Sequence, residues 1–179
     1  MTLYFSGSFA KTYKGHGTDK AVVAGLLGFD ASDERIRDSL NLANEMGMNV
    51  NIKCEELELA HPNTVRIVAG TKEVVGSSVG GGNILITKIN GVPVEVDGLY
   101  DTLIISHKDI PGMITKISKA LSDRNINVNG LKLFRSEKGG EAVVIVQVDD
   151  NIDGATIVNE LKDLQDVSKV TYLKALKPL

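Results

Sequence analysis

A histidine between two glycines is the first residue of this sequence that could do acid–base chemistry. His16 stands in the run Lys14 to Asp19 (K-G-H-G-T-D), just before an apolar stretch. The run predicts a tight loop that presents the imidazole at a helix N-terminus, where the helix dipole favours the neutral form that a general base requires. Lys14 could pair with a carboxylate, and Thr18 and Asp19 could orient the loop. The alternative is that His16 only hydrogen-bonds within its own loop.

A second candidate is the turn Asp109-Ile110-Pro111-Gly112, which separates a β-branched apolar run from an amphipathic helical pattern. Asp109 is predicted to cap the first-turn amides, Pro111 to take the first helical position, and Gly112 to let a backbone or a small ligand approach. The free amides of such a helix N-terminus attract a carboxylate. From this turn alone, a capped helix without a ligand is the simpler interpretation.

A glycine-rich run from Gly76 to Asn83 (G-S-S-V-G-G-G-N) interrupts two strand-like segments. It has more glycine than a plain hairpin needs, so an unusual loop is predicted there. A phosphate-binding loop is excluded, because neither G-K-[ST] nor a helix follows the run. A bulged connection and a ligand-cradling loop both remain open. The candidate loop residues are Ser77, Ser78, Gly80, Gly81 and Gly82.

Composition narrows the class of protein. The single cysteine, Cys54, excludes an internal disulfide and a zinc or iron–sulfur site built from cysteines of this chain alone; it is interpreted as a small core or strand residue. The net charge of −3 and the absence of a basic tract argue against nucleic acid as a partner. No apolar run approaches the roughly 20 residues of a membrane span, and no signal peptide is recognised, so a cytoplasmic location is predicted.

The first half is predicted to be a mixed-sheet α/β domain that ends near residue 98. Its elements are a strand at 2–5, a wholly apolar and buried helix at 20–27 capped by Thr18 or Asp19, a helix capped by Asp30 or Ser32 that runs to Met46, and strands at 49–53, 64–69, 73–78, 84–89 and 92–96. Asn90-Gly91 predicts a type I′ hairpin, which needs positive φ at both residues.

The second half, residues 99–179, is predicted to have the order β-α-β-β-α-β of a ferredoxin-like domain. The strands are expected at 102–107, 127–135, 142–148 and 168–173, and the helices at 111–123 and 155–164. Asp153 is the expected cap of the second helix, and Gly139-Gly140 the turn of the central hairpin. The fold class is therefore α/β (α+β), with two domains.

The D-I-P-G turn after a first strand, together with Asn125-Ile126-Asn127 before the second, resembles the amino-acid-binding ACT domain. The first half resembles the β subunit of the bacterial iron–sulfur-dependent L-serine dehydratase. The motifs that carry this second resemblance are K-G-H-G-T-D, G-L-L-G-F at 25–29, H-P-N-T at 61–64 and G-S-S-V-G-G-G at 76–82. In that family, a domain related to the allosteric substrate-binding domain of some phosphoglycerate dehydrogenases precedes the ACT domain. Family members usually begin with further residues carrying a Pro-Ser-Ser-Ser-His-Thr motif, which this sequence lacks, so either a trimmed sequence or a naturally short subunit is expected.

The resemblance implies that water is eliminated from L-serine, giving pyruvate and ammonia. In the family an iron of a [4Fe–4S] cluster acts as Lewis acid and a base removes the α proton. The cluster is expected on an α subunit and no cofactor on this chain, which would be inactive alone. His16 is the candidate base, whereas His61 is assigned to turn structure and His107 to ordinary surface or core. The alternative is a freestanding amino-acid sensor without catalytic activity.

The resemblance also implies that L-serine or another small amino acid binds the ACT half as effector, at the interface of a homodimer. An asparagine of the same or a paired subunit would satisfy the ligand's ammonium or hydroxyl group. The residues expected at this site are Asp109, Ile110, Pro111, Gly112, Met113, Asn125 and Asn127.

Overall fold

The computed structural model describes residues 1–57, 61–135, 137–149 and 152–176. The chain divides into two compact units, one formed by Met1–Glu95 and the other by the residues from Val96 onwards. Within the described ranges, no helix has both the length and the apolar character that a bilayer span requires.

A six-stranded sheet is the framework of the first unit. Its strands are β1 Thr2–Gly7, β2 Asn51–Cys54, β3 Asn63–Ala69, β4 Lys72–Gly80, β5 Asn83–Ile89 and β6 Val92–Val96, in the spatial order β2-β1-β3-β4-β5-β6. β1 pairs in parallel with β2 and antiparallel with β3, so the predicted mixed sheet is confirmed. Asn90 and Gly91 both have positive φ, 49° and 81°, as the predicted type I′ turn requires.

The loop predicted for Lys14 to Asp19 is wrong, because all of these residues except Gly17 lie in helices. Helix α1 spans Ser8–His16, and a single left-handed residue, Gly17, separates it from α2 at Thr18–Leu26. Phe9 and Tyr13, four residues apart, both pack on Phe5 of β1, with ring centroids 6.3 and 4.9 Å away. This aromatic contact stabilises α1, although the polar residues between the two rings hide its helical pattern.

The apolar sequence of α2 predicted a helix that is buried on all sides, and this prediction is wrong. Val23 and Ala24 face the core that Leu3, Phe5 and Ala43 form, whereas Leu26 is 36% exposed. The predicted caps are also wrong, since Gly17 takes the N-cap position without a side-chain bond. Small residues explain the difference, because an alanine-rich and glycine-rich helix can face water at little cost.

The single helix predicted to end at Met46 is divided into two pieces. A 3₁₀ turn at Glu34–Asp38 precedes α3 at Ser39–Glu45. The cap is Asp33 rather than Asp30 or Ser32, and its carboxylate accepts hydrogen bonds from the backbone and the guanidinium of Arg35. These side-chain and backbone bonds from Arg35 lower the pKa of Asp33 to about 2. Asp33 therefore caps the start of the 3₁₀ turn, three residues after the predicted cap Asp30.

The second unit has the predicted β-α-β-β-α-β order. Its elements are β7 Asp101–Lys108, α4 Met113–Asp123, β8 Val128–Arg135, β9 Glu141–Val148, α5 Gly154–Lys162 and β10 Val167–Leu173, and the sheet order is β10-β7-β9-β8. The predicted cap is confirmed, because the Asp153 carboxylate accepts from the Thr156 amide at 3.2 Å. The helices and the sheet bury one apolar core, formed by Leu103, Ile105, Ile117, Leu121, Val144, Val146, Val148, Ile157, Leu161 and Val170.

Candidate functional site

One end of the first unit's sheet brings two of the sequence motifs together, and we call it the motif end. Thr64 of H-P-N-T and Ser77 of the glycine-rich run are register partners on β3 and β4, and their buried hydroxyl oxygens lie 2.6 Å apart. The Thr64 hydroxyl donates to the His61 carbonyl at 2.6 Å, so Ser77 must donate to Thr64. Ser77 is therefore a structural residue that supports the H-P-N-T turn.

The same turn closes the N-terminus of α1. The Pro62 carbonyl accepts from the amides of Ser8 at 2.6 Å and Phe9 at 3.4 Å. Gly7, with φ of 61°, lies so close that a Cβ atom would stand 2.5 Å from the Pro62 oxygen. Because the protein's own carbonyl fills this helix end, it is not a free site for an anion.

The glycine-rich run forms a bulged hairpin, which is one of the two alternatives that the sequence left open. β4 continues to Gly80 and β5 begins at Asn83, so only Gly81 and Gly82 connect them. The register shifts between Ser78 and Gly80. All three glycines have positive φ, 91°, 61° and 79°, a conformation that other residues rarely adopt. The glycines are therefore explained by the hairpin backbone.

The structure places His16 between two helices, at the end of α1 and one residue before Gly17, the N-cap of α2. It is the last residue of α1 and is exposed, as Lys14 is, while Asp19 is buried in the first turn of α2. Ser8 and His16 stand eight residues apart in this helix, which corresponds to about 12 Å. Since Ser8 contacts Pro62, His16 lies at the opposite end of α1 from the motif end.

In the second unit, Asp109 does not cap α4. The helix begins at Met113 with Gly112 as N-cap, at φ of 91° and without a side-chain bond, so Pro111 is not its first residue either. The Asp109 carboxylate instead accepts from the Gly139 amide at 3.1 Å and Arg135 at 3.3 Å. The Gly139 hydrogen bond, with help from Arg135, lowers the pKa of Asp109. The first-turn amides of α4 thus have no side-chain cap.

His107 lies in the core, which is one of the two positions that the sequence interpretation gave it. Strand alternation places it on the helix-facing side of β7 with Leu103 and Ile105, and it is 2% exposed. Its Nδ1 lies 2.8 Å from the Lys108 carbonyl, so Nδ1 donates. Among the described residues, its buried Nε2 is without a hydrogen-bond partner. Buried polar atoms without a partner are rare and call for an explanation, and this one lies two residues before Asp109.

Asn125 and Asn127 lie at the opposite end of the sheet from Asp109. Asn127 donates to Asp149 at 2.7 Å, beyond the end of β9, and both asparagines line a cavity of ≈ 510 Å³. Asp109, in contrast, follows the far end of β7, whose eight residues span about 24 Å. Within one chain, these asparagines and the Asp109 turn therefore cannot contact the same small ligand.

Cys54 ends β2 and is exposed, so the strand interpretation is right and the core interpretation is wrong. Its thiol contacts the Ala10 carbonyl at 3.4 Å. In the parts of the chain that the structure describes, no three His, Cys, Asp or Glu side chains converge as metal ligands would. An iron–sulfur cluster, which cysteine thiolates normally hold, does not fit the residues of this chain.

The second unit has the β-α-β-β-α-β order of a ferredoxin-like domain. Residues 103–169 match the family model described as AHAS small subunit-like ACT domain. The chain is 39% identical to the probable L-serine dehydratase, beta chain, of Bacillus subtilis (strain 168) over 173 residues, which are 94% of this chain and 78% of that protein. It belongs to the L-serine dehydratase beta chain family, as the motifs predicted.

Two further relatives are similar to this chain over most of its length. The L-serine dehydratase, beta chain, of Peptoniphilus asaccharolyticus is 38% identical over 149 residues, covering 80% of this chain and 67% of that protein. The D-3-phosphoglycerate dehydrogenase of Bacillus subtilis (strain 168) is 26% identical over 183 residues, covering 97% of this chain and 34% of that enzyme. The similarity to a phosphoglycerate dehydrogenase therefore extends over both units of this chain.

Proposed function

We propose that this chain is the regulatory β subunit of a cytoplasmic L-serine dehydratase, which converts L-serine to pyruvate and ammonia together with an α subunit. The observation that carries the proposal is the 39% identity to a β chain over 94% of this sequence. We assign the dehydratase β-chain domain to residues 1–98 and the ACT domain to 99–179, whose last three residues lie outside the described ranges. The single cysteine supports a [4Fe–4S] cluster held by the α subunit.

The proposal includes a chemical role for the exposed end of α1. His16 would take the α proton of serine as general base, Lys14 would pair with the substrate carboxylate, and Thr18 and Asp19 would orient the junction with α2. Exposure of His16 and Lys14 supports the role, because a partner subunit can reach both side chains. The helix dipoles act on His16 in opposite directions, because the end of α1 favours the charged ring and the start of α2 favours the neutral one.

We expect the isolated chain to form no pyruvate from serine and to hold no cluster after anaerobic reconstitution. One thiol cannot provide the ligands that a [4Fe–4S] centre needs. Mixing the chain with its reconstituted α subunit should then give serine-dependent pyruvate formation, and the α subunit alone is the control. A stoichiometric cluster spectrum with pyruvate formation by this chain alone would show the assignment of the cluster to be wrong.

A freestanding amino-acid sensor is the second candidate. The uncapped N-terminus of α4 supports amino-acid binding, which a sensor would perform without a catalytic partner. The same mixing experiment separates the two candidates. A sensor would bind an amino acid. The α subunit would then show the same activity in the presence and in the absence of this chain.

We also propose that the ACT half binds L-serine or another small amino acid as effector. The ligand carboxylate would lie on the free first-turn amides of α4, with Ile110, Pro111 and Met113 around it.

The asparagines of this effector site would come from a second copy of the chain. Asn125 and Asn127 lie too far from Asp109 within one chain, so only the paired-subunit alternative remains compatible with a common ligand. β8 is an edge strand that exposes Leu131 and Leu133 by 41% and 45%. An exposed apolar edge of this kind favours pairing, and this supports the proposed homodimer.

A negative charge placed at Gly112 should weaken effector binding. Gly112→Asp puts a carboxylate where the ligand carboxylate would lie, and the site has open space, with no atom within 4 Å of an added Cβ. Gly112→Asn is the matched control, because both side chains tolerate the left-handed backbone and differ only in charge. We expect Gly112→Asp to raise the calorimetric Kd for L-serine about tenfold or more relative to Gly112→Asn.

Equal serine affinities for two folded Gly112 variants would show that the α4 N-terminus is not the site. If the wild-type chain bound no amino acid at millimolar concentration, the ACT half would be a dimerisation module instead.

A further inference from the structure

Helix α2 has a second apolar face, on the side opposite the core. Its residues recur at alternating intervals of three and one, so they lie within one arc of about 140° around the helix axis. We call this arc the α2 face, and its residues are Thr18, Ala21, Val22, Gly25 and Leu26. Three of them, Ala21, Gly25 and Leu26, are exposed, and the other two are half-buried. Val23 and Ala24 point the other way and are buried.

The α2 face lacks the charged side chains that normally cover the outer side of a surface helix. From Ala21 to Phe29 no side chain is polar, and the charged residues that flank this run are Lys20 and Asp30. The small size of alanine and glycine explains why the exposure costs little, but it does not explain why polar residues are missing. A helix that is apolar on all sides is normally buried in the native assembly. Depletion of charge is also what distinguishes the core of a protein–protein interface.

We propose that the α2 face binds an apolar surface of the α subunit, an inference that rests on the proposed function. The face begins two residues after His16, with only Gly17 between the two helices, and extends for about 12 Å along α2. An α subunit that brings serine to His16 therefore lies at one end of the α2 face already. A second copy of the chain fits this position less well, because its proposed contact is the β8 edge of the other unit.

The test is the association of Gly25→Glu with the α subunit. Gly25 lies near the middle of the α2 face, and an added Cβ meets no atom within 4 Å, so the free chain has room for a side chain there. The Kd for the α subunit should rise about 100-fold or more, because the carboxylate would be buried against an apolar surface without a partner. The Tm of the free variant should equal or exceed that of wild type, since glutamate is a better helix former than glycine.

Asn41→Glu is the matched control, because it adds the same charge to an exposed position of the neighbouring helix α3. It should leave the Kd within about threefold of wild type. Ala21→Glu, one turn before Gly25, is the second variant and should weaken association as Gly25→Glu does. With saturating α subunit, both variants of the α2 face should keep kcat within about threefold of wild type, because neither side chain contacts the substrate.

Three results would overturn the inference. The first is an unchanged Kd for a folded Gly25→Glu or Ala21→Glu chain, and the second is an equal loss of affinity in Asn41→Glu. The third is a change in the size of the free chain on size-exclusion chromatography, which would show that a second copy covers the α2 face. If wild type binds the α subunit and supports pyruvate formation, such a result rejects this inference alone. If wild type does neither, the proposed function itself is wrong.

Discussion

Replacing His16 by alanine should lower kcat of the reconstituted dehydratase by about 10²- to 10⁴-fold, the range typical of a lost general base. The loss should appear in kcat rather than KM, because the base acts on the proton as it leaves and does not hold the substrate. His16 is exposed at the end of α1, so its removal should change the free energy of unfolding by about 0.5 kcal/mol or less. The measurement is steady-state pyruvate formation with saturating α subunit.

Lys20→Ala is the matched control for His16→Ala, because it removes another exposed side chain near the junction of α1 and α2. It should leave kcat unchanged. Activity of His16→Ala within about threefold of wild type would rule out the catalytic role, since general bases contribute far more.

Gly7→Ala should destabilise the first unit by about 3 kcal/mol or more. Its positive φ of 61° costs a non-glycine residue about 1–3 kcal/mol, and the added Cβ would collide with the Pro62 carbonyl oxygen at 2.5 Å. This neighbour is backbone, so no side-chain rotation relieves the collision. Moving Pro62 away would also leave the amides of Ser8 and Phe9 without their acceptor, at about a further 1 kcal/mol.

Gly15→Ala is the control for Gly7→Ala, because Gly15 lies in α1 and has no atom within 4 Å of an added Cβ. It should stabilise the helix by about 0.5–1 kcal/mol. Hydrogen exchange is the suitable measurement, since it reports the amides of α1 and of α4 separately and so distinguishes the two units. Wild-type protection of α1 in Gly7→Ala would contradict the close packing described here.

Local patterns were sufficient for much of this fold. All ten strands were placed to within about two residues, because alternation and β-branched runs act over short distances. The order of strands and helices in the ACT half was also predicted correctly, since each of its helices has one apolar stripe. Helix α1 was not predicted, because it is stabilised by packing of Phe9 and Tyr13 on Phe5 of β1. This contact depends on the tertiary structure and gives no local helical pattern.

The candidate sites were less predictable than the elements that carry them. The sequence places Asp109 where a helix cap is expected. In the structure, its carboxylate accepts hydrogen bonds from Arg135 and from the Gly139 amide, and not from the first-turn amides of α4. Ser77 looks like a loop residue until the register of β3 and β4 places it opposite Thr64. Partners this distant cannot be inferred from neighbouring residues. The roles of His16 and of the effector residues remain predictions.

The junction at Gly7 restricts how the length of the chain can change. One residue inserted between β1 and α1 would turn the helix by about 100° and advance it by about 1.5 Å. Phe9 and Tyr13 would then leave Phe5, and the Pro62 carbonyl would no longer meet the Ser8 amide. The hairpin turn at Gly70, where an added Cβ meets no atom within 4 Å, carries no such constraint. Insertions and deletions should therefore accumulate in hairpin turns, while the spacing from β1 to His16 stays constant.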